Sequence, residues 1–573
     1  MPAQLLAGEP RSSASPSETE TPPARRGSRV KLFGTCGLVG LVLFAAYVRL
    51  SWTAPVNSDG AANVLQALDI LHGNVLLHGW WLSDCSFYTT ELPQYVLLAA
   101  LLGAGPAVIH VAAAMTYTIV IMLAALLAKG RSTGRESVIR MLLVIGIMLA
   151  PQPGGTPQNG GGVFVLDLSL GHIGTAVPLL LTWLLIDRAG ARRWVPAAVG
   201  LLLAWALVAD PLVLVVGILP LVTCCALRLY RALVVRREPL AAGWFEIFLA
   251  AAAIAAVPVA VTVLAVLRAL GGFQLEPVNT LIIQGVGLPG HVATTVESVL
   301  VLFGADFFGL PAGLSALCAF VHLAGVALAG WAVWIGLRGL VRGSDRRDSH
   351  NLANDIMVVA ILANLASYLI TMSVRPSYAR EIADVLPFAA ALAGRLLPAR
   401  LAARHLFPAL GVVLVGYAAT LGVGVVQPAV PTQNSQLAQW LLSRNLHYGL
   451  GAYWQASSTT VASDERVQVT PVADIAYRLV GTYPWEAARS WYDPRLHDAT
   501  FLVLDDQNRT YPASLPYVTR TNALATFGQP AETFQVGQYM ILVWHKNLLS
   551  DLYCTAFDPQ RGFPPTSRSV PCE

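Results

Sequence analysis

Long apolar runs dominate this 573-residue chain and decide what it can fold into. The first run, Lys31–Leu50, is long enough to cross a bilayer as a helix. Ten further runs follow along the chain: Ala107–Ala128, Val138–Pro151, His172–Ile186, Trp194–Ala209, Pro211–Leu227, Phe245–Leu267, Pro311–Leu337, Asp355–Met372, Ile382–Leu397 and Leu406–Val426. Charged residues make up 12% of the chain, against about 25% in an average soluble protein. The sequence therefore predicts a mainly α, polytopic membrane helix bundle of about eleven spans.

Basic residues predict how this bundle lies in the membrane. Every even-numbered run is followed by a cluster of basic residues: Lys129–Arg140, Arg188–Arg193, Arg228–Arg237, Arg338–Arg347 and Arg400–Arg404. Cytoplasmic loops of membrane proteins carry an excess of Lys and Arg. We therefore expect a plasma-membrane protein whose N-terminus is cytoplasmic and whose first loop, residues 51–106, is outside.

One apolar segment, residues 89–105, does not fit this alternation as a full span. It is short, and counting it as a span would turn every later basic cluster to the outside. We expect a helix that lies in the outer interface or dips into the membrane and returns.

The two ends of the chain differ from the bundle of residues 31–427. Residues 1–30 are rich in Pro, Ser, Glu and Arg and lack an apolar core, which predicts a disordered cytoplasmic tail. Residues 428–573 hold shorter apolar runs and more polar residues, which predicts an exported α+β domain. Its helix is expected at Ser435–Asn445, and strand-like patterns lie at Thr459–Val469, Thr500–Leu504 and Gln538–Trp544. Outside the cytoplasm, Cys554 and Cys572 could form a disulfide, and two free thiols are the alternative.

Asp59 is the acidic residue that is the strongest candidate for a catalytic role. It follows the first run, and residues 51–128 contain no Lys or Arg. A carboxylate at the mouth of a helix bundle is costly unless it has a role. The apolar spacing of the next residues, Gly60–Asn74, predicts an amphipathic helix with Asp59 at or near its start. Helix capping by the carboxylate is therefore the structural alternative to a catalytic role.

Two short motifs after Asp59 carry a family resemblance. The segment Ala67–Asn74 reads ALDILHGN, and Glu91–Leu98 reads ELPQYVLL with Gly103 or Gly105 after it. This order resembles the lipid-linked glycosyltransferases with the GT-C fold, in the branch of the aminoarabinose and protein O-mannosyl transferases. The resemblance covers roughly residues 31–430 and is that of a divergent bacterial member. Glu91 stands where the family carries a basic residue.

The resemblance implies a membrane glycosyltransferase of the cell envelope. Its donor would be a sugar on a polyprenyl phosphate, and its acceptor a glycan, lipid or protein among the membrane lipids. Asp59 would act as general base on the acceptor hydroxyl in an inverting displacement. The phosphate leaving group needs cations or hydrogen-bond donors, and Arg375, Tyr378 and Arg380 match the place where the family supplies them. Pairing of Arg380 with the adjacent Glu381 is the alternative.

A second acid, Asp167, occupies the loop where relatives often place one. With His172 it could bind a divalent metal or contact substrate, and a loop acid with a structural role is equally open. Glu91, by its place in the second motif, is the remaining candidate substrate-binding residue. The sequence requires no cofactor and leaves the divalent metal as an open alternative.

Two other functions are compatible with the same topology. A transporter or lipid flippase would need polar groups near the middle of the membrane, whereas the acids and arginines here gather near the predicted ends of the spans. A non-catalytic protein could use the bundle to anchor the exported domain. Nucleic-acid binding has no support, since the basic residues lie in loops that set orientation.

Overall fold

The computed structural model describes residues 24–149, 172–277, 287–343, 349–371, 376–398, 406–432, 434–475, 479–505, 517–555 and 565–568. The chain is mainly helical up to residue 425, and an eight-stranded sheet follows in the C-terminal region, which we define as residues 428–573. This is the predicted order of a helix bundle and a mixed domain. The first helix begins at Ala24, inside the segment predicted as a tail. Residues 1–23 lie outside the described residues.

Each of the eleven apolar runs coincides with a helix. These helices are Ala24–Ser51, Ala107–Lys129, Gly134–Met148, Ala176–Ala189, Val195–Ala209, Leu214–Val235, Trp244–Ala269, Leu314–Arg342, Ser349–Ile370, Val385–Leu396 and Leu406–Val425. In the described part of the chain, seven helices are long and apolar enough to cross a membrane. The remaining runs form helices of 12 to 15 residues. The chain is a multi-pass membrane protein.

Three more helices lie between these elements: Ser58–Leu71, Leu92–Leu102 and Leu288–Leu302. The second of them falls in the segment that the arginine pattern excluded as a span. It has 11 residues, which at about 1.5 Å per residue is roughly half the thickness of the hydrocarbon core. Its length agrees with the expectation of an interfacial or re-entrant helix.

The arginine-rich end of the bundle is tied together by side chains that cap neighbouring helices. Arg188 donates to the Leu126 carbonyl over 3.1 Å. Arg395, whose side chain is 0% exposed, pairs with Asp187 at 2.7 Å and donates to the carbonyl of Leu127 at 2.8 Å and to the side chain of Asn354. The last turns of several helices therefore meet at one end, as the positive-inside pattern requires.

The C-terminal region folds around a sheet of eight strands in the order β11-β10-β5-β4-β3-β7-β9-β8. Its strands are β3 (Tyr448–Gly451), β4 (Gln468–Ile475), β5 (Leu479–Thr482), β7 (Phe501–Asp505), β8 (Glu532–Val536), β9 (Tyr539–Val543), β10 (Tyr553–Thr555) and β11 (Pro565–Arg568). Strand β3 is parallel to β4 and β7, whereas β9 is antiparallel to β7 and β8. The region also contains the helices Ser435–Ser443, Tyr453–Ala462 and Arg520–Phe527.

The strand predicted at Thr459–Val469 is wrong over its first half. Residues up to Ala462 belong to the helix Tyr453–Ala462, and β4 begins only at Gln468. Two of the hydroxyl residues in this helix bond back to carbonyls one turn earlier, Ser458 to Trp454 at 2.7 Å and Thr460 to Ala456 at 3.3 Å. The other two predicted strands and the helix at Ser435 are confirmed.

A second, three-stranded sheet joins the bundle loops to the C-terminal region. Its strands are β1 (Trp80–Leu82), β2 (Gln274–Leu275) and β6 (Ala487–Ala488), in the order β2-β1-β6. Strand β1 is parallel to β2 and antiparallel to β6. The Trp80 ring packs edge-on against Trp491, with ring centroids 5.2 Å apart. Three segments that are distant in sequence are therefore held together at the end of the bundle opposite the one that contains Arg188 and Arg395.

Candidate active site

A cavity of about 100 Å³ lies where the first loop, the 3-10 helix Pro376–Ile382 and the C-terminal region meet. Four carboxylates face it together with one guanidinium and one imidazole. Its lining residues are Asp59, Asn63, Ser83, Asp84, Cys85, Phe87, His172, Arg380, Glu381, Trp485 and Glu486. The structure thus brings Asp59 and Arg380, both singled out by the sequence, into one site.

Asp59 lies in the first turn of the helix Ser58–Leu71, as expected, but it does not cap that helix. The cap is Asn57, whose side-chain oxygen accepts the Gly60 N–H at 3.1 Å. The Asp59 carboxylate instead accepts a hydrogen bond from the Tyr453 hydroxyl at 2.6 Å and pairs with Arg380 at 3.3 Å. Its side chain is 23% exposed. Asn57 therefore caps the helix in place of Asp59, and the Asp59 carboxylate faces the cavity.

Arg380 pairs with Glu381, which is the alternative that the sequence left open, and it also pairs with Asp59. Its Nη1 lies 3.3 Å from Asp59, and its Nε lies 3.6 Å from the Glu381 carboxylate. With a side chain that is 36% exposed, it presents a positive charge at the cavity. Tyr378 lies in the same 3-10 helix, but its side chain is outside the described residues, as is Arg375 altogether.

His172 is held between two carboxylates. Its Nδ1 lies 2.7 Å from Asp210 and its Nε2 lies 2.8 Å from Glu381. Burial alone would lower the pKa of the imidazole, but the charges and hydrogen bonds of these two acids raise it well above its usual value. His172 is therefore an imidazolium that links the loop acid Asp210 to the acid next to Arg380.

The described residues fit a divalent metal poorly at this point. Cys85, His172 and Asp210 come within 4.8 Å of one another, which is a spacing that a metal could use. Both nitrogens of His172 are already bonded to carboxylates, and Asp210 also accepts the Leu212 N–H at 2.8 Å and the Thr175 hydroxyl. Burial raises the pKa of the Cys85 thiol well above its usual value, which disfavours a metal-binding thiolate. Asp167, the predicted partner of His172, lies outside the described residues.

Asp384 adds a buried acid near this cluster. Its side chain is fully buried, and neither carboxyl oxygen has a hydrogen-bond partner among the described residues. Burial and then the nearby negative charge of Asp210 raise the pKa of its carboxyl group well above the usual value, which favours the protonated form.

Glu91 is not brought into the cavity. It is 1% exposed, accepts a hydrogen bond from the Thr90 hydroxyl, and packs against Gly174. A Cβ at Gly174 would lie 1.6 Å from the Glu91 Oε1, so only glycine fits beside it. Burial raises the pKa of Glu91 to about 8. Glu91, at the position where the glycosyltransferase family has a basic residue, is therefore a buried and largely neutral acid.

Two residues of the C-terminal region make hydrogen bonds at this site that the sequence did not predict. One is Tyr453, which donates to Asp59. The other is Glu486, which accepts the Gln66 amide at 2.6 Å and the Ser83 N–H at 2.9 Å, and whose pKa burial raises to about 7. Glu486 also has a φ of 51°, a left-handed backbone conformation that is uncommon for residues with a side chain. No local pattern marks either residue, because their partners lie hundreds of positions earlier in the chain.

Cys554 is disulfide-bonded. Its predicted partner, Cys572, lies outside the described residues, so that pairing stays a prediction.

The architecture defines a polytopic membrane protein with the GT-C fold. One solved structure that it resembles is ArnT from Cupriavidus metallidurans, crystallised bound to undecaprenyl phosphate. The two share 12% sequence identity at a TM-score of 0.50, over 91% of this chain and 98% of the other. At this identity the likeness concerns the fold, and it extends through the C-terminal region. No family model matches the sequence, and no curated protein does.

Proposed function

We propose that the protein is a membrane glycosyltransferase that moves a sugar from a polyprenyl-phosphate donor to an extracytoplasmic acceptor. The observation that carries this proposal is the Asp59 carboxylate, which Tyr453 and Arg380 hold at a cavity. This cavity lies at the end of the bundle opposite the one that contains Arg188 and Arg395. By the positive-inside rule, that end faces outward across the plasma membrane. The likeness in fold to a protein that binds undecaprenyl phosphate agrees with a lipid-borne donor.

The chemistry is an inverting displacement with Asp59 as general base. The acceptor hydroxyl loses its proton to Asp59 while its oxygen attacks the anomeric carbon. The bond from that carbon to the phosphate oxygen breaks, and polyprenyl phosphate departs with the electron pair. A carboxylate has about four lone-pair sites, and Tyr453 and Arg380 occupy two of them, so Asp59 can still accept this proton.

Arg380 is the residue that we assign to the leaving phosphate. Its guanidinium is charged throughout the physiological pH range and lies beside the base, where the two reactants must meet. Arg375 and Tyr378 remain proposed phosphate contacts, and Asp167 remains a proposed contact of the substrate or of a divalent metal. No step of this mechanism passes through a metal.

The test compares sugar transfer by the wild-type protein with that by Asp59→Asn, using purified protein in lipid and a panel of polyprenyl-phosphate sugars. The substitution keeps the size of the side chain and removes the base, so kcat should fall by about 10²- to 10⁴-fold. Asp498→Asn is the matched control, because it makes the same chemical change at an exposed carboxylate outside the cavity. Equal rates for Asp59→Asn and wild type, with equal thermal stability, would refute the base.

A further inference from the structure

The C-terminal region contributes a hydrogen-bond donor directly to the proposed base. The Tyr453 hydroxyl lies 2.6 Å from Asp59 Oδ1, although the two residues are 394 positions apart. The Tyr453 side chain is buried, with 6% of the residue exposed. Burial, and then the charges of Asp59 and Glu486, raise the pKa of this hydroxyl well above its usual value. Tyr453 therefore keeps its proton and acts as a donor.

The ring of Tyr453 is fixed by the elements around it. Its centroid lies 5.1 Å from that of Trp454 and 6.1 Å from that of Tyr483, both in edge-on contacts. Asn434 donates to the Trp454 carbonyl at 3.0 Å and to the Ser458 hydroxyl at 2.7 Å, which holds the first turn of the helix. A donor held in this way can set the orientation of its acceptor.

Contacts on either side of Tyr453 fix this region to the bundle. Ser58, which precedes Asp59, donates to the hydroxyl of Ser458 at 3.2 Å. On the other side, Glu486 accepts hydrogen bonds from Gln66 and from the Ser83 N–H. The pairing of β1 with β6 adds backbone hydrogen bonds next to these contacts. The distance between Tyr453 and Asp59 is therefore set by several independent links.

We propose that Tyr453 is a positioning residue for Asp59, so that the C-terminal region completes the active site. The inference rests on the proposed glycosyl transfer. The hydrogen bond to Oδ1 fixes the plane of the carboxylate and directs its remaining lone pairs into the cavity. Arg380 contacts the other oxygen, Oδ2, so both carboxylate oxygens are held.

The test is Tyr453→Phe, which removes the hydroxyl and keeps the ring. Misplacing a reacting group by about 1 Å can cost roughly a hundredfold in rate, so loss of the bond that orients the carboxylate should lower kcat by about ten- to a hundredfold. KM for both substrates should stay within about twofold, because the hydroxyl acts through the base.

Tyr492→Phe is the matched control. Its buried hydroxyl also donates within the C-terminal region, to the carbonyls of Pro471 and Tyr483 at 2.7 and 2.9 Å, and makes no contact with Asp59. This variant should lower the thermal stability while leaving kcat and KM unchanged. A wild-type kcat for Tyr453→Phe, or equal effects of the two variants on kcat, would overturn the positioning role.

Two further outcomes separate this inference from the proposed function. If Asp59→Asn abolishes transfer while Tyr453→Phe behaves as wild type, only the positioning role fails. If Asp59→Asn transfers normally, the base itself fails. A double-mutant cycle on the unfolding temperature of Asp59→Asn and Tyr453→Phe, measured without substrate, tests the contact independently of activity. If the double variant lowers the unfolding temperature by the sum of the two single shifts, the contact is overturned. A shift that differs from this sum would support the contact.

Discussion

The buried pair of Asp187 and Arg395 gives a sharp test of what holds the bundle together. The two side chains are 1% and 0% exposed, and their charged atoms lie 2.7 Å apart. Asp187→Asn removes the negative charge at nearly constant volume and leaves the guanidinium buried without this carboxylate, while Asn354 and the Leu127 carbonyl still accept from it. Breaking a buried pair in this way costs about 3–5 kcal/mol of unfolding free energy.

A second ion pair in the same protein provides the control. Glu136 and Arg140 also lie 2.7 Å apart, one helical turn from each other, but their side chains are 52% and 15% exposed. An exposed pair of this kind contributes about 0.3–0.5 kcal/mol. Glu136→Gln should therefore cost roughly a tenth of what Asp187→Asn costs, although the two distances are equal.

Reversible unfolding in detergent micelles, followed by the loss of helical circular dichroism, measures both free energies. Repeating the unfolding measurement at higher salt should reduce the small loss of unfolding free energy caused by Glu136→Gln. The loss caused by Asp187→Asn should stay the same, because salt screens buried charges poorly. Similar costs for the two variants would refute the reasoning, since they would mean that separation and not burial decides the contribution of an ion pair here.

Two further predictions concern Glu91 and its neighbour. Gly174→Ala should destabilise the protein by roughly 1–3 kcal/mol, because the added Cβ would lie 1.6 Å from Glu91 Oε1, and thermal unfolding against the control Gly290→Ala, which has open space around it, measures this. Burial raises the pKa of Glu91 from 4.5 to about 8, so the folded state binds its proton more tightly than the unfolded state does. The stability that this provides is present at low pH and is lost as pH rises from about 4.5 to about 8. Unfolding temperatures of wild type and Glu91→Gln across that range should diverge in favour of Glu91→Gln, and parallel curves would contradict the assignment.

Much of the bundle could be predicted from composition and spacing. Apolar runs form helices because the backbone must satisfy its own hydrogen bonds in lipid, and the basic clusters after every second run mark their shared end. Asp59 could be placed in a first helical turn because the apolar spacing after it has the helical period. Each of these features depends on one short stretch of the chain, so the sequence alone is enough to predict it.

The rest of the site depends on contacts that no local pattern contains. Tyr453 and Glu486 reach the cavity because β6 pairs with β1 and because the helix Tyr453–Ala462 packs beside Ser58. The wrong strand at Thr459 has a related cause, since tertiary packing made a run of hydroxyl and β-branched residues helical. His172 was singled out for a metal with Asp167, whereas its contacts in the structure are Asp210 and Glu381.

The central claim is that Asp59 removes the acceptor proton during sugar transfer. A single-turnover measurement, with enzyme in excess over a radiolabelled polyprenyl-phosphate sugar and saturating acceptor, reports the chemical step without product release. The account predicts transfer by wild type and by Asp498→Asn, and a rate for Asp59→Asn that is lower by about 10²-fold or more. Transfer by a folded Asp59→Asn at the wild-type rate would contradict it.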